Sequence, residues 1–119
     1  MSKLIKIISI KTTKESLSYT LPRIRLSEYA NSLSETAKDH PGFISTDSYW
    51  KNKLKNPTIT GNESLQVVSI SEWKSLYHWN QWLQSEERNK IHNQYKDIIQ
   101  KESFSVLNKR SFSDDTFLL

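Results

Sequence analysis

The tripeptide His40-Pro41-Gly42 constrains the fold more than any other feature of the chain. Proline disfavours helix for the residue before it, and glycine permits a sharp reversal. Upstream, Leu26, Tyr29, Ala30, Leu33 and Ala37 recur at helical spacing, the mark of an amphipathic helix. Ser27 and Glu28 near its start and Lys38 near its end suit the helix dipole. Downstream, Phe43, Ser45, Asp47 and Tyr49 alternate with Ile44, Thr46, Ser48 and Trp50, as side chains do on the two faces of a strand. One turn therefore separates a helix that starts near Arg25 from a strand that ends near Trp50.

The other elements follow from the same two periodicities. Leu4 to Ile10 is rich in β-branched residues and too short for a helix, so it reads as a first strand, apolar on both faces and hence central. Lys11 to Pro22 is polar and reads as an irregular connection. Asn56-Pro57 and Gly61-Asn62 punctuate a long hairpin connection over Lys51 to Asn62, and Ser64 to Trp73 makes a third strand antiparallel to the second. Ser75 is a helix cap ahead of Leu76, Trp79, Trp82 and Leu83. A second cap at Ser85-Glu86-Glu87 opens a segment with Ile91, Tyr95, Ile98 and Ile99 as its apolar face. The helical region is therefore broken near Gln84-Ser85. Phe104, Val106 and Leu107 mark a last strand, and residues 111–119 read as a C-terminal tail.

The order β-α-β-β-α-β predicts an α+β, ferredoxin-like domain over residues 1–110, a four-stranded antiparallel sheet with its helices on one face. The other face then needs a cover. A second copy of the chain supplies it, which predicts a homodimer of the dimeric α+β barrel type. Apolar residues are only 35% of the chain, but four Trp, five Tyr and four Phe bring large apolar areas, so one thin core is attainable.

Composition removes several functions. With no cysteine, this chain has no disulfide framework, thiolate metal site or cysteine nucleophile. The charge of +4 is spread along the chain. Lys51, Lys53 and Lys55 sit among Asn and Pro as solvated loop charges, so nucleic acid is not an expected partner. The N-terminal apolar run is interrupted by Lys6, and no stretch approaches membrane-spanning length. A cytoplasmic protein without membrane association is expected.

Three local patterns occur in order along this framework. His40-Pro41-Gly42-Phe43 enters the second strand, Trp73-Lys74-Ser75 leaves the third, and Trp82 stands ahead of Ser85-Glu86-Glu87-Arg88. Together they resemble the antibiotic-biosynthesis-monooxygenase family over Leu4 to Lys109. The resemblance implies a small monooxygenase that acts on a planar organic substrate with dioxygen, without metal or flavin. The family also includes heme-degrading enzymes, in which a Trp precedes an iron-ligating His by ten residues. Trp82 and His92 reproduce that interval, so heme bound through His92 is the alternative cofactor expectation. That branch also uses an Asn in strand one. Leu4 to Ile10 has none, and Ser9 is its only polar uncharged side chain.

For the leading reading, His92 and Tyr95 are the candidate catalytic groups, since deprotonating a substrate needs a histidine, tyrosine or carboxylate. Trp82, Trp79 and Tyr49 are the candidate substrate-binding residues, with Trp73 able to line the same pocket, although aromatic side chains at helical spacing also fill cores. His40 and His78 lie in no specific motif and are expected at the surface. Three scattered histidines without carboxylate spacing make no metal site. A third reading is a non-catalytic dimeric module that binds a small molecule.

Overall fold

The computed structural model describes residues 4–16, 20–51 and 64–108. Seven elements follow one another: β1 (Ile5–Thr13), α1 (Thr20–Ala37), β2 (Phe43–Trp50), β3 (Gln66–Trp73), α2 (Leu76–Leu83), α3 (Glu86–Tyr95) and β4 (Ile99–Asn108). The strands form one antiparallel sheet in the order β2-β3-β1-β4. This is the expected α+β ferredoxin-like arrangement, with the second helical region divided in two. Ser85 makes the division. Its hydroxyl donates to the Trp82 carbonyl at 2.8 Å and accepts from the Arg88 N–H at 3.2 Å, so one side chain closes α2 and caps α3.

Every second residue of β1, from Ile5 through Ile7, Ser9 and Lys11 to Thr13, is buried on the helix side. There Ile5 and Ile7 pack with Leu26, Tyr29, Ala30, Leu33 and Ala37 of α1, Val67 and Trp73 of β3, and Trp79 and Trp82 of α2. The opposite sheet face holds Ile8 and Ile10 across from Ile70 and Val68. Tyr49, beside Val68, and Leu107, beside Lys6, extend this apolar face and are exposed in the single chain.

Three boundaries differ from the sequence expectation. β1 does not end at Ile10 but runs through Lys11 to Thr13, because it is flanked on both sides and its backbone groups pair with β3 and β4 along that length. α1 begins at Thr20 rather than near Arg25, and Pro22 lies within its first turn, where a missing N–H leaves no intrahelical bond unmade. β4 begins at Ile99 rather than at Phe104. Bonds from Ile98 N–H to Tyr95 O at 3.0 Å and from Ile99 N–H to Lys96 O at 3.3 Å end the helical path, so Ile99 passes from the expected helix face into the strand. Most of the expected hairpin connection, with Lys53 and Lys55, and the tail at 111–119 lie outside the described residues.

The turn at Pro41-Gly42 locks the helix layer to the sheet. Gly42 has φ +85°, a left-handed conformation that side chains resist, and its carbonyl accepts the Lys74 N–H at 2.8 Å beyond the end of β3. Its open side is filled by the His78 imidazole, where any Cβ on residue 42 would collide. Neither His78 nor His40 is at the surface as expected. Both are half-buried, and the His40 ring meets the edges of Trp82 and Trp73 at centroid distances of 5.4 and 6.5 Å. We expect Gly42→Ala to destabilise the protein by about 1–3 kcal/mol through backbone strain alone, with the collision added. In urea unfolding, His78→Ala recovers the collision part in the double variant and leaves the strain.

Candidate functional site

Between the sheet and the helices lies a cavity partly open to solvent, with about 40 Å³ of water-accessible volume, a few times the roughly 10–15 Å³ that one water needs. Its apolar wall is aromatic: Phe43, Trp73, Trp79, Trp82 and Phe104. Trp73 is the hub of this wall. Its ring stacks on Trp82 at 6.3 Å and meets Trp79 at 5.8 Å and Phe43 at 5.4 Å, edge to face. Its indole N–H donates to the Ser71 hydroxyl at 3.0 Å, so the ring is held in place from the sheet.

The polar lining comes from Ser9 and Lys11 of β1, Ser69 and Ser71 of β3, and Arg88 of α3. Lys11 is only 4% exposed, and its ammonium donates to the Ser9 hydroxyl at 2.9 Å. Desolvation lowers its pKa to about 8. Glu102 opposes that shift, and the Arg88 charge adds to it. Arg88 in turn donates to Glu102 Oε2 at 3.0 Å, with both side chains only 9% exposed.

The other Glu102 oxygen serves two groups. The Tyr29 hydroxyl donates to Oε1 at 2.6 Å, and His92 Nδ1 lies 3.0 Å from the same oxygen and 3.0 Å from the Tyr29 oxygen. Since the hydroxyl proton goes to Glu102, Nδ1 of His92 carries the proton in these contacts. Burial, and then the Glu102 charge and hydrogen bond, push the Tyr29 hydroxyl far above its ordinary pKa. Tyr29 therefore stays a phenol and acts as a donor. The cluster thus joins α1, α3 and β4 through one carboxylate.

Of the residues singled out in the sequence, Trp79 and Trp82 border the cavity. His92 and Tyr95 lie outside its lining. His92 faces Tyr29 and Glu102, and Tyr95 packs on the Tyr29 ring at 5.3 Å beneath the Arg25 guanidinium at 5.5 Å. Tyr49 projects from the opposite sheet face and is 55% exposed.

Against this geometry stand the comparisons with known proteins. A family model described as antibiotic biosynthesis monooxygenase matches residues 24–94. The chain belongs to the antibiotic biosynthesis monooxygenase family. No curated protein matches it in sequence. Among solved structures, a mutant of SnoaB, a cofactor-independent oxygenase from Streptomyces nogalater, is similar at TM-score 0.65 and 13% identity, over 92% of this chain and 96% of that one. Rv0793 from Mycobacterium tuberculosis gives TM-score 0.64 at 13% identity, over 91% and 96% of the two chains. PA3566 from Pseudomonas aeruginosa gives 0.60 at 12%, over 93% and 98%. At such identities the likeness is one of fold.

Within this family fold, the residues that sequence reasoning passed over are the polar and charged ones of the cluster. Lys11 was expected in an irregular connection, Tyr29 among the apolar positions of a helix, and Arg88 only as part of a pattern. Glu102 had no local signal, because its partners come from two other elements, α1 and α3. Lys11 had one. The alternation Ile5, Ile7, Ser9, Lys11, Thr13 continues a single strand face, and the β-branched Thr12-Thr13 supports that continuation.

Lys11 gives stability a pH dependence of definite sign. Its pKa is 10.5 unfolded and about 8 folded, so between these values the unfolded chain holds more protons and stability rises with pH. The penalty is complete below about pH 8 and amounts to something on the order of 3 kcal/mol. Lys11→Met, which has no proton to lose, is expected to unfold at higher urea than wild type at about pH 7, with the gap shrinking between about pH 8 and 10.

Proposed function

We propose that this protein is a small monooxygenase that binds a planar organic substrate along its tryptophan wall and brings the substrate anion into reaction with dioxygen. The observation that carries this reading is the pairing of an aromatic cavity with two buried cations, Lys11 and Arg88, at its polar side. Family membership supports it, and SnoaB is described as a cofactor-independent oxygenase.

The chemistry asked of the protein is electrostatic and positional. An electron-rich carbanion delivers electrons to dioxygen, a C–O bond forms to give a hydroperoxide, and loss of water leaves a carbonyl where an activated methylene stood. One oxygen atom stays on carbon, the other leaves in water, and the methylene loses both hydrogens. Lys11, charged at neutral pH below its pKa of about 8, and Arg88 stabilise negative charge on the substrate and on reduced oxygen, where fixed charges in a dry site act most strongly. Trp79 and Trp82 orient the ring and exclude water. His92 acts from behind, through Glu102.

Oxygen consumption with hydroxylated aromatic substrates that carry an activated methylene tests the reading. Lys11→Met is expected to lower kcat by about 10²-fold, the usual effect of removing one stabilising donor. Saturable binding with no oxygen uptake for any such substrate would replace the enzyme with a binding module.

The working unit in this reading is a homodimer joined through the sheet face opposite the helices, where Ile8, Ile10, Val68 and Ile70 form a continuous apolar centre flanked by Tyr49 and Leu107. A second copy of the same face is self-complementary by two-fold symmetry. In sedimentation, the wild type is expected at twice the chain mass and Ile70→Lys at the mass of one chain, with its helical circular dichroism retained. A monomeric wild type would refute the dimer.

A further inference from the structure

The carboxylate that would ordinarily neutralise Lys11 is turned away from it. Glu102 stands directly across from Lys11 in the β1–β4 register, on one sheet face, where opposite charges pair. Yet Oε1 takes the Tyr29 hydroxyl and His92 Nδ1, and Oε2 takes Arg88. Three groups from α1 and α3 thus draw the carboxylate toward the helix layer. Among the described residues Lys11 is left with one hydrogen-bond partner, the Ser9 hydroxyl, although an ammonium has three protons to donate. A cation 4% exposed, with donors unspent in a cavity, calls for an acceptor that arrives with the ligand.

We propose that Lys11, with Arg88 beside it, forms a subsite for the carboxylate of an aromatic acid whose ring lies along Trp79 and Trp82. The proposal rests on the cavity being the substrate site and adds the substrate's class: it enters already ionised. Two cations against one carboxylate leave a single excess positive charge, which matches a monoanion and not a phosphate dianion. The Ser69 and Ser71 hydroxyls on the same lining accept or donate to whatever polar substituents the ring carries. Tyr29 and His92 are positioning residues, because they hold Glu102 back from the place that the ligand's carboxylate takes.

The groups that face Lys11 are Glu102 of β4, Arg88 of α3, Tyr29 of α1, whose ring centroid is 5.8 Å from Nζ, and Ser9 of its own strand. Binding of a carboxylate therefore keeps Lys11 protonated, and the wild-type protein takes up protons when it binds the acid at about pH 8.5, above its free pKa.

Benzoate and its neutral analogue benzamide, titrated against tryptophan fluorescence, test the subsite. The wild type is expected to bind benzoate about tenfold tighter or more at about pH 7, with proton uptake near pH 8.5 seen by calorimetry in two buffers of different ionisation enthalpy. Lys11→Met brings benzoate down to the level of benzamide and leaves benzamide unchanged. Tyr29→Phe releases Glu102 to pair with Lys11 and weakens benzoate alone, and adding Glu102→Gln restores it, a rescue that a purely structural loss would not show. Equal binding of the two ligands by the wild type, or benzoate binding without proton uptake, overturns the subsite alone. Quenching by neither ligand overturns the cavity reading, and the subsite with it.

Discussion

The buried Arg88–Glu102 ion pair is the contact on which the arrangement of the site depends. Two charged side chains 9% exposed are tolerated only when each is closely partnered, since an unpartnered buried charge is costly. Glu102 meets that condition by accepting from Arg88, Tyr29 and His92 at once. Arg88 meets it through the carboxylate and through the Phe104 ring, 5.4 Å from its guanidinium carbon. The consequence reaches Lys11. With the carboxylate oxygens spent on the helix layer, the lysine across the ladder keeps its burial without the full benefit of a counter-ion, and its lowered pKa records that imbalance.

The aromatic half of the cavity is fixed by different means. Trp73 sits at the end of β3, tied by its indole N–H to Ser71 and surrounded by rings from β2 and α2. What brings those rings together is the turn at Pro41-Gly42, whose carbonyl binds beyond the end of β3 and whose missing side chain makes room for His78 of α2. A glycine far from the polar cluster thus sets how closely α2 approaches the sheet, and so where Trp79 and Trp82 stand.

Much of this was legible in the sequence, and the limit of legibility has a physical cause. The turn at His40-Pro41-Gly42, the caps at Ser75 and Ser85, and the tryptophans of α2 are local signals, written within a few residues of where they act, and each lies where it was expected. The polar cluster is non-local. Tyr29 and Glu102 are 73 positions apart, and nothing near either residue announces the other. Lys11 is obscured for another reason: a charged side chain reads as exposed, so the strand reads as ending before it. The β-branched Thr12-Thr13 argued the other way, and the ladder to β3 and β4 decided it.

The contrast between shared fold and local chemistry explains why function here has to be argued from the site. Structures only 12–13% identical overlay nearly the whole chain, so the sheet and its helix layer persist through near-complete replacement of side chains. A fold so permissive hosts many reactions. What points to chemistry in this chain is the set of charges on the inner faces of β1, α3 and β4, which core packing does not require and apolar residues of similar volume would fill at no loss of stability. A lysine that costs the folded state on the order of 3 kcal/mol at neutral pH, placed among tryptophans and beside a carboxylate held away from it, is therefore hard to account for as scaffolding. Its position is best explained by a ligand that supplies the missing negative charge.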